Sequence, residues 1–163
     1  MKQTISILVE NHAGVLSRIS GLFARRGFNI DSLAVGITDD PTVSRVTIVV
    51  NGDDYMVEQV EKQLNKLIDV IKLRRLPAGD TVSRELMLVK VACSPKTRSE
   101  IMDIVRVMDA RVSDISCETL TIEHSDTADR LEILCELLKP YQVLEIVRTG
   151  TIALEKGGSV IRV

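Results

Sequence analysis

The apolar periodicity of the chain predicts an α+β protein of two tandem units, each ordered strand, helix, strand, strand, helix, strand. Each unit folds most compactly as an antiparallel four-stranded sheet with both helices on one face, the ferredoxin-like arrangement. Three observations predict it. Period-two alternation gives way to helical spacing and returns in the same order twice, turn-forming residues stand at the switches, and Pro77-Ala78-Gly79-Asp80 separates the halves.

In the first unit, Ile5, Ile7 and Val9 alternate with Ser6 and Glu10 across residues 4–10, with Leu8 the exception, as in a half-buried strand. Asn11-His12-Ala13-Gly14 breaks that alternation. Val15, Leu16, Ile19, Leu22 and Phe23 then recur at helical spacing, with Ser17, Arg18, Arg25 and Arg26 on the other side, and Gly27 stops the helix. Residues 29–38 return to period two through Leu33, Val35 and Ile37. Asp39-Asp40-Pro41-Thr42 makes a hairpin connection to a strand carrying Val46, Ile48 and Val50. Asn51-Gly52-Asp53-Asp54 opens a second helix with apolar positions Val57, Val60, Leu64, Leu67 and Ile68, and Glu58 and Lys62 form an i,i+4 pair on its outer side. A strand over residues 70–76 closes the unit.

The plan then repeats. Met87, Val89 and Val91 mark a strand, and Ser94-Pro95 reads as a cap followed by proline at the first helical position. Ile101, Ile104, Val105 and Met108 form a helical stripe. Short strands around Ile115 and Leu120-Thr121-Ile122 precede a helix carrying Leu131, Leu134 and Leu138, and residues 143–148 supply the last strand. Thr47-Ile48 and Thr121-Ile122 hold equivalent places. The expected boundaries are residues 1–76, a linker over 77–83, and a C-terminal unit over 84–163. Units of about 80 residues have small cores, so further burial against the sister unit or another chain is expected. The strand at 29–38 offers a sheet edge that a symmetric partner could cap.

Composition excludes several functions. The chain has 163 residues, 45% hydrophobic and 27% charged, with a formal net charge of −2. It has neither the basic field that neutralises phosphates nor, with two Phe and two Tyr, the rings that stack bases, so no nucleic-acid partner is expected. No run approaches the roughly 18 apolar residues of a membrane span, and no signal-peptide core opens the chain. Cys93, Cys117 and Cys135 form no CxxC pattern and cannot all pair within one chain, so a reducing, cytoplasmic setting and burial as small apolar residues are expected.

The chain carries no recognisable catalytic constellation. His12 and His124 lie in different units without a second ligand at metal spacing, Asp39-Asp40 before Pro41 is a turn signal, and no phosphate-binding glycine pattern occurs. No catalytic or metal-binding residue is therefore expected. The first strand-to-helix junction is different. Gly14 lets backbone approach a ligand closely, and the first N–H groups of the following helix carry partial positive charge suited to a small carboxylate. Asn11 could hold an ammonium, and Val15, Leu16 and Ile30 could wall an aliphatic side chain, which together match an amino acid. The plainer alternative has Asn11 capping the helix and Gly14 only easing the turn.

These residues carry a family resemblance. The stretch from Ile7 to Leu16, Gly27-Phe28-Asn29-Ile30-Asp31-Ser32-Leu33, and Thr38-Asp39-Asp40-Pro41-Thr42-Val43-Ser44-Arg45 resemble the regulatory (small) subunit of acetohydroxyacid synthase, also called acetolactate synthase. The first 76 residues resemble its ACT domain. Arg84-Glu85-Leu86-Met87-Leu88-Val89-Lys90-Val91 and Val147-Arg148-Thr149-Gly150 extend the likeness to nearly the whole chain.

The resemblance implies a non-catalytic subunit that dimerises through its ACT domain and joins a separate large, catalytic subunit. It implies that the small subunit raises that enzyme's activity and confers feedback inhibition by valine or another branched-chain amino acid. Thiamine diphosphate, FAD and magnesium are then expected only in the large subunit, with no cofactor in this chain. It also implies an effector held between two ACT domains, by Asn11, His12, Ala13, Gly14, Val15 and Leu16 of one and by Asn29 and Ile30 of the other. Residues 1–76 are expected to dock on the catalytic partner. Ser94-Pro95-Lys96 stands where the second unit would need such a loop, so no equivalent amino-acid site is expected there. A free-standing amino-acid sensor acting on another enzyme or regulator is the alternative reading.

Overall fold

The computed structural model describes residues 1–163, and it divides into two compact units. The first contains β1 (Lys2–Glu10), α1 (Val15–Arg26), β2 (Ile30–Ile37), β3 (Val43–Asn51), α2 (Asp54–Leu64) and β4 (Val70–Leu76). Its strands lie in the order β2-β3-β1-β4, with every neighbour antiparallel. This is the predicted ferredoxin-like topology. Ile5, Ile7 and Val9 of β1 pair with Ile48, Val46 and Ser44 of β3, and the apolar members of these pairs meet Val15, Ile19, Leu22 and Phe23 of α1 and Val57, Val60 and Leu64 of α2 in one core. Burying each such side chain contributes roughly 1.5–3 kcal/mol.

One local prediction needs correction. α2 ends at Leu64, so Leu67 and Ile68 lie beyond the helix, and Ile68 is exposed. Asn65 caps that end, and the Leu67 and Val70 N–H groups close turns onto the Leu64 and Leu67 carbonyls. Asp39 and Asp40 do make a turn: Asp40 Oδ1 accepts from the Thr42 N–H at 2.8 Å and the Thr42 hydroxyl at 2.7 Å. Those bonds, the hydroxyl's foremost, hold the Asp40 carboxyl below its usual range.

The second unit, taken by itself, contains most of β5 (Thr81–Ala92) with α3 (Pro95–Val107), β6 (Arg111–Ile115), β7 (Thr119–Asp126), α4 (Ala128–Leu138) and β8 (Val143–Arg148), in the strand order β6-β7-β5-β8. Met87, Val89 and Val91 pair with His124, Ile122 and Leu120 and pack beneath Ile101, Val105, Leu131, Leu134 and Leu138. Ile48 and Ile122 do hold equivalent positions, each wholly buried and paired to the strand that opens its unit. Cys93 and Cys135 are partly buried, but Cys117, in the β6–β7 turn, is exposed, against expectation.

The chain's end departs furthest from the sequence reading. The second compact unit covers Arg84–Gly150, whereas Thr151–Val163 joins Met1–Ser83 in the first. The expected linker carries a 3-10 turn at Ala78–Asp80 and then runs directly into β5. A ninth strand, β9 (Ile152–Glu155), pairs with β5, and the Lys156 N–H donates to the Asp80 carbonyl at 2.7 Å.

The rest of this segment bonds to residues on the helix-free face of the first sheet. Ser32 Oγ accepts from the Thr151 N–H, Arg45 donates to the Ala153 carbonyl, and Lys72 donates to the Arg162 carbonyl. Arg74 pairs with Glu155 at 2.5 Å and donates to the Ser159 hydroxyl. The face that the repeat pattern leaves without a helix is therefore bonded to the chain's own last residues. No helix in the molecule is long and apolar enough to cross a membrane.

Candidate functional site

The junction between β1 and α1 is built from both ends. At the strand end, the Glu10 N–H donates to the Asp69 carbonyl at 2.9 Å and the Asn11 N–H donates to the Thr42 carbonyl at 2.8 Å. The Asn11 side-chain amide then donates to the Pro41 carbonyl at 2.8 Å, tying the loop to the β2–β3 turn. Asn11 thus does not cap the helix, and its Oδ1 is left to accept from a ligand.

At the helix end, Gly14 occupies the N-cap position with φ 91°, a left-handed conformation that glycine adopts without strain. No side chain caps α1. Since the first intrahelical bond is donated by Arg18 to the Gly14 carbonyl, the N–H groups of Val15, Leu16 and Ser17 stand at a helix terminus with positive partial charge. A Cβ added to Gly14 would lie 3.7 Å from Arg18 Nη2, so a guanidinium stands beside this corner.

The side chains of the loop divide. Leu16 is exposed and can contact a ligand's apolar part, whereas Val15 is buried in the core and contributes only its backbone. Val15 as a wall of the pocket is therefore corrected. Ile30 packs partly into the core, and Asn29 is exposed, its amide 3.3 Å from Asp31 Oδ1.

Asn29 and Ile30 do not join the loop within one chain. Ile30 pairs with Val50, which pairs with Gln3, whereas the loop leaves β1 after Glu10. The two groups lie at opposite ends of the sheet, roughly 23 Å apart at about 3.3 Å per strand residue. β2 is an edge strand, with Val35 and Ile37 exposed.

His12 has more partners than an isolated loop histidine. Its Nδ1 lies 3.0 Å from the Ala13 carbonyl, and its Nε2 lies 3.1 Å from Glu10 Oε2 and 3.1 Å from Asp69 Oδ1. Every partner is an acceptor, so the ring is best matched when both nitrogens carry protons. The Ala13 carbonyl first, then the Glu10 bond and the charges of Asp69 and Glu10, raise its pKa above the ordinary 6.5. Asp69 is almost wholly buried and pairs through Oδ2 with Arg18 Nη1 at 2.5 Å.

Glu10, His12 and Asp69 lie close enough together to chelate a cation. The Arg18 guanidinium on Asp69 opposes that use by repelling a second positive charge. The sequence reading missed Asp69 and Arg18. The available signal was a carboxylate interrupting the apolar run Leu67-Ile68-Asp69-Val70-Ile71.

The second unit's junction has the opposite construction. Ser94 caps α3: its Oγ accepts from the Thr97 N–H at 3.2 Å while Thr97 Oγ1 accepts from the Ser94 N–H at 2.9 Å, and Pro95 begins the helix. At this terminus the Ser94 and Thr97 N–H groups are matched internally, and Pro95, at the first helical position, has no N–H to offer.

Family comparisons match the two halves of the chain separately. An acetohydroxyacid synthase small subunit-like ACT domain matches residues 5–72, and the family described as small subunit of acetolactate synthase matches residues 84–157. The chain is 49% identical over 154 residues to the acetolactate synthase small subunit of Mycolicibacterium smegmatis, covering 94% of this chain and 91% of that protein. It is 40% identical to the acetolactate synthase isozyme 3 small subunit of Salmonella typhimurium over 99% of this chain and 100% of that one. The crystal structure of the acetolactate synthase small subunit from Thermotoga maritima superposes with a TM-score of 0.91 at 37% identity, covering 98% of this chain and 99% of that chain. By two profiles, full-length relatives and a shared fold, the chain belongs to the acetolactate synthase small-subunit family, a family of regulatory subunits with an ACT domain.

Proposed function

We propose that this chain pairs with a catalytic large subunit of acetolactate synthase, raises its activity, and makes it subject to feedback inhibition by valine or another branched-chain amino acid. In this reading catalysis, with thiamine diphosphate, FAD and magnesium, belongs to the large subunit. The observation that carries the effector site is the uncapped start of α1 at left-handed Gly14, in a chain of this family. The effector's carboxylate accepts from the Val15 and Leu16 N–H groups. Its ammonium donates to Asn11 Oδ1 and to Asn29 of a second copy, and its aliphatic part lies against Leu16 and the second copy's Ile30.

The separation of Asn29 and Ile30 from the loop supports a two-chain pocket, because one copy cannot bring both groups to one ligand. A ligand bridging two copies biases the dimer toward one arrangement. Inhibition then requires only a differential affinity of about 1–3 kcal/mol between active and inhibited complexes.

Titrating valine, leucine, isoleucine, serine and lysine into the full-length chain tests the site. The branched-chain amino acids should release heat and raise the melting temperature, and serine and lysine should not. Absence of binding by any branched-chain amino acid would overturn the reading. Adding the chain to a purified large subunit tests the partnership, with increased turnover and valine sensitivity expected together.

A further inference from the structure

We propose that Asp69 is a positioning residue for the effector loop, clamping it through His12 and α1 through Arg18; this rests on the amino-acid site proposed above. The geometry is specific. From the turn before β4, Asp69 uses three acceptors on the same junction: its main-chain carbonyl receives the Glu10 N–H at the end of β1, Oδ1 meets His12 in the loop, and Oδ2 meets Arg18 one turn into α1. Its side chain is 5% exposed, whereas those of His12 and Arg18 are 45% and 50% exposed, so two half-exposed basic side chains converge on one buried carboxylate.

Through these bonds Asp69 holds the strand end, the loop and the first helical turn in one register, and that register sets where the uncapped N–H groups point. It also places Arg18 beside Gly14, where the guanidinium adds positive potential at the carboxylate corner.

The clamp is conditional on pH. The charged groups facing His12 are Glu10 from β1 and Asp69 from the turn before β4, with Arg18 of α1 on the far oxygen of Asp69. Because the His12 pKa is raised in the folded chain, the ionic form of the clamp is complete below the ordinary 6.5 and is lost as pH rises through the folded value. The loop should therefore hold an effector less firmly in alkaline solution.

The test uses the full-length chain and its Asp69→Asn and His12→Gln variants, with valine as probe. Wild-type affinity measured by calorimetry should fall about tenfold between pH 6 and 8.5. Asp69→Asn should bind weakly at both pH values, and the His12 titration followed by NMR should move down toward 6.5. His12→Gln, neutral throughout, should show a flat profile at the wild type's alkaline affinity, and it decides the matter alone if Asp69→Asn does not fold. An Asp69→Asn protein with wild-type affinity, or a His12→Gln protein that keeps the pH dependence, overturns the proposal. A His12 titration unmoved by Asp69→Asn overturns the clamp even without ligand, whereas a wild-type chain that binds no branched-chain amino acid overturns the effector site instead.

Discussion

In the first unit the helix after the opening strand starts at a left-handed glycine with no side-chain cap, and in the second the equivalent helix starts at a serine that exchanges hydrogen bonds with a threonine three residues on. The sheets beneath have the same strand order. The comparison teaches that topology places a helix N-terminus at the end of the first strand in either unit, and that a few residues decide whether its donors serve the fold or stay available to a ligand. A capped terminus is more stable by about 1 kcal/mol. The first unit forgoes that stabilisation at the junction where the proposed ligand binds, and holds the loop with Asp69, Thr42 and Pro41 instead.

Closing the open junction should have the largest effect. Gly14→Asp puts a Cβ at φ 91° and a carboxylate where the effector's own would lie, and calorimetry should show valine affinity reduced more than about 100-fold, with stimulation of the large subunit retained. Unchanged affinity would remove the distinction between the junctions.

The matched core positions give the next effect. Ile48→Ala and Ile122→Ala each empty a wholly buried site and should cost about 2–5 kcal/mol in chemical denaturation, but only Ile48→Ala should also weaken the effector. Equal loss of effector affinity from Ile122→Ala would mean that the second unit shares in the site.

Opening the closed junction is milder. Ser94→Ala should cost about 1 kcal/mol and leave valine affinity unchanged, because Pro95 and the rest of α3 remain.

The smallest effect concerns the C-terminal segment. Pairing with Arg74, then the Ser159 bond, depresses the Glu155 pKa below its ordinary 4.5, so this attachment is complete above that pH and weakens as pH falls through the folded value. Relative to its intrinsic rate, hydrogen exchange in residues 151–163 should accelerate in the wild type once the pH falls well below the ordinary 4.5. In Arg74→Ala it should already be faster at neutral pH.

Elements whose side chains repeat against one neighbouring layer were legible in the sequence. β4 lies over Val70–Leu76 as expected, α1 stops at Gly27, whose φ of 67° suits glycine, and Ser94-Pro95 caps α3. The predicted extension of α2 to Ile68 failed because Leu67 and Ile68 continue the helical period after the hydrogen-bonded helix has ended. Periodicity reports which side chains are apolar, not where the backbone turns.

At the candidate site the loop from Asn11 to Leu16 was legible as a local break between strand and helix, whereas the Val15 side chain, expected to wall a ligand, packs in the core, because a residue at a helix start can face either way. Asp69 lies far along the chain from His12 and Arg18, and no spacing rule joins them. Family resemblance pointed to Asn29 and Ile30 as opposing residues, and the sheet register puts them at the far end of the same chain from the loop.

By itself the sequence determined two successive ferredoxin-like units and the contrast between Asn11-His12-Ala13-Gly14 and Ser94-Pro95, because local periodicity and capping chemistry act over a few residues. Only the tertiary structure decided that Thr151–Val163 returns to the first unit, that Asp69 meets both His12 and Arg18, and that one copy cannot assemble both halves of the proposed pocket. Those outcomes depend on contacts between residues distant in the chain, where burial and sheet register select partners that sequence neighbours do not specify.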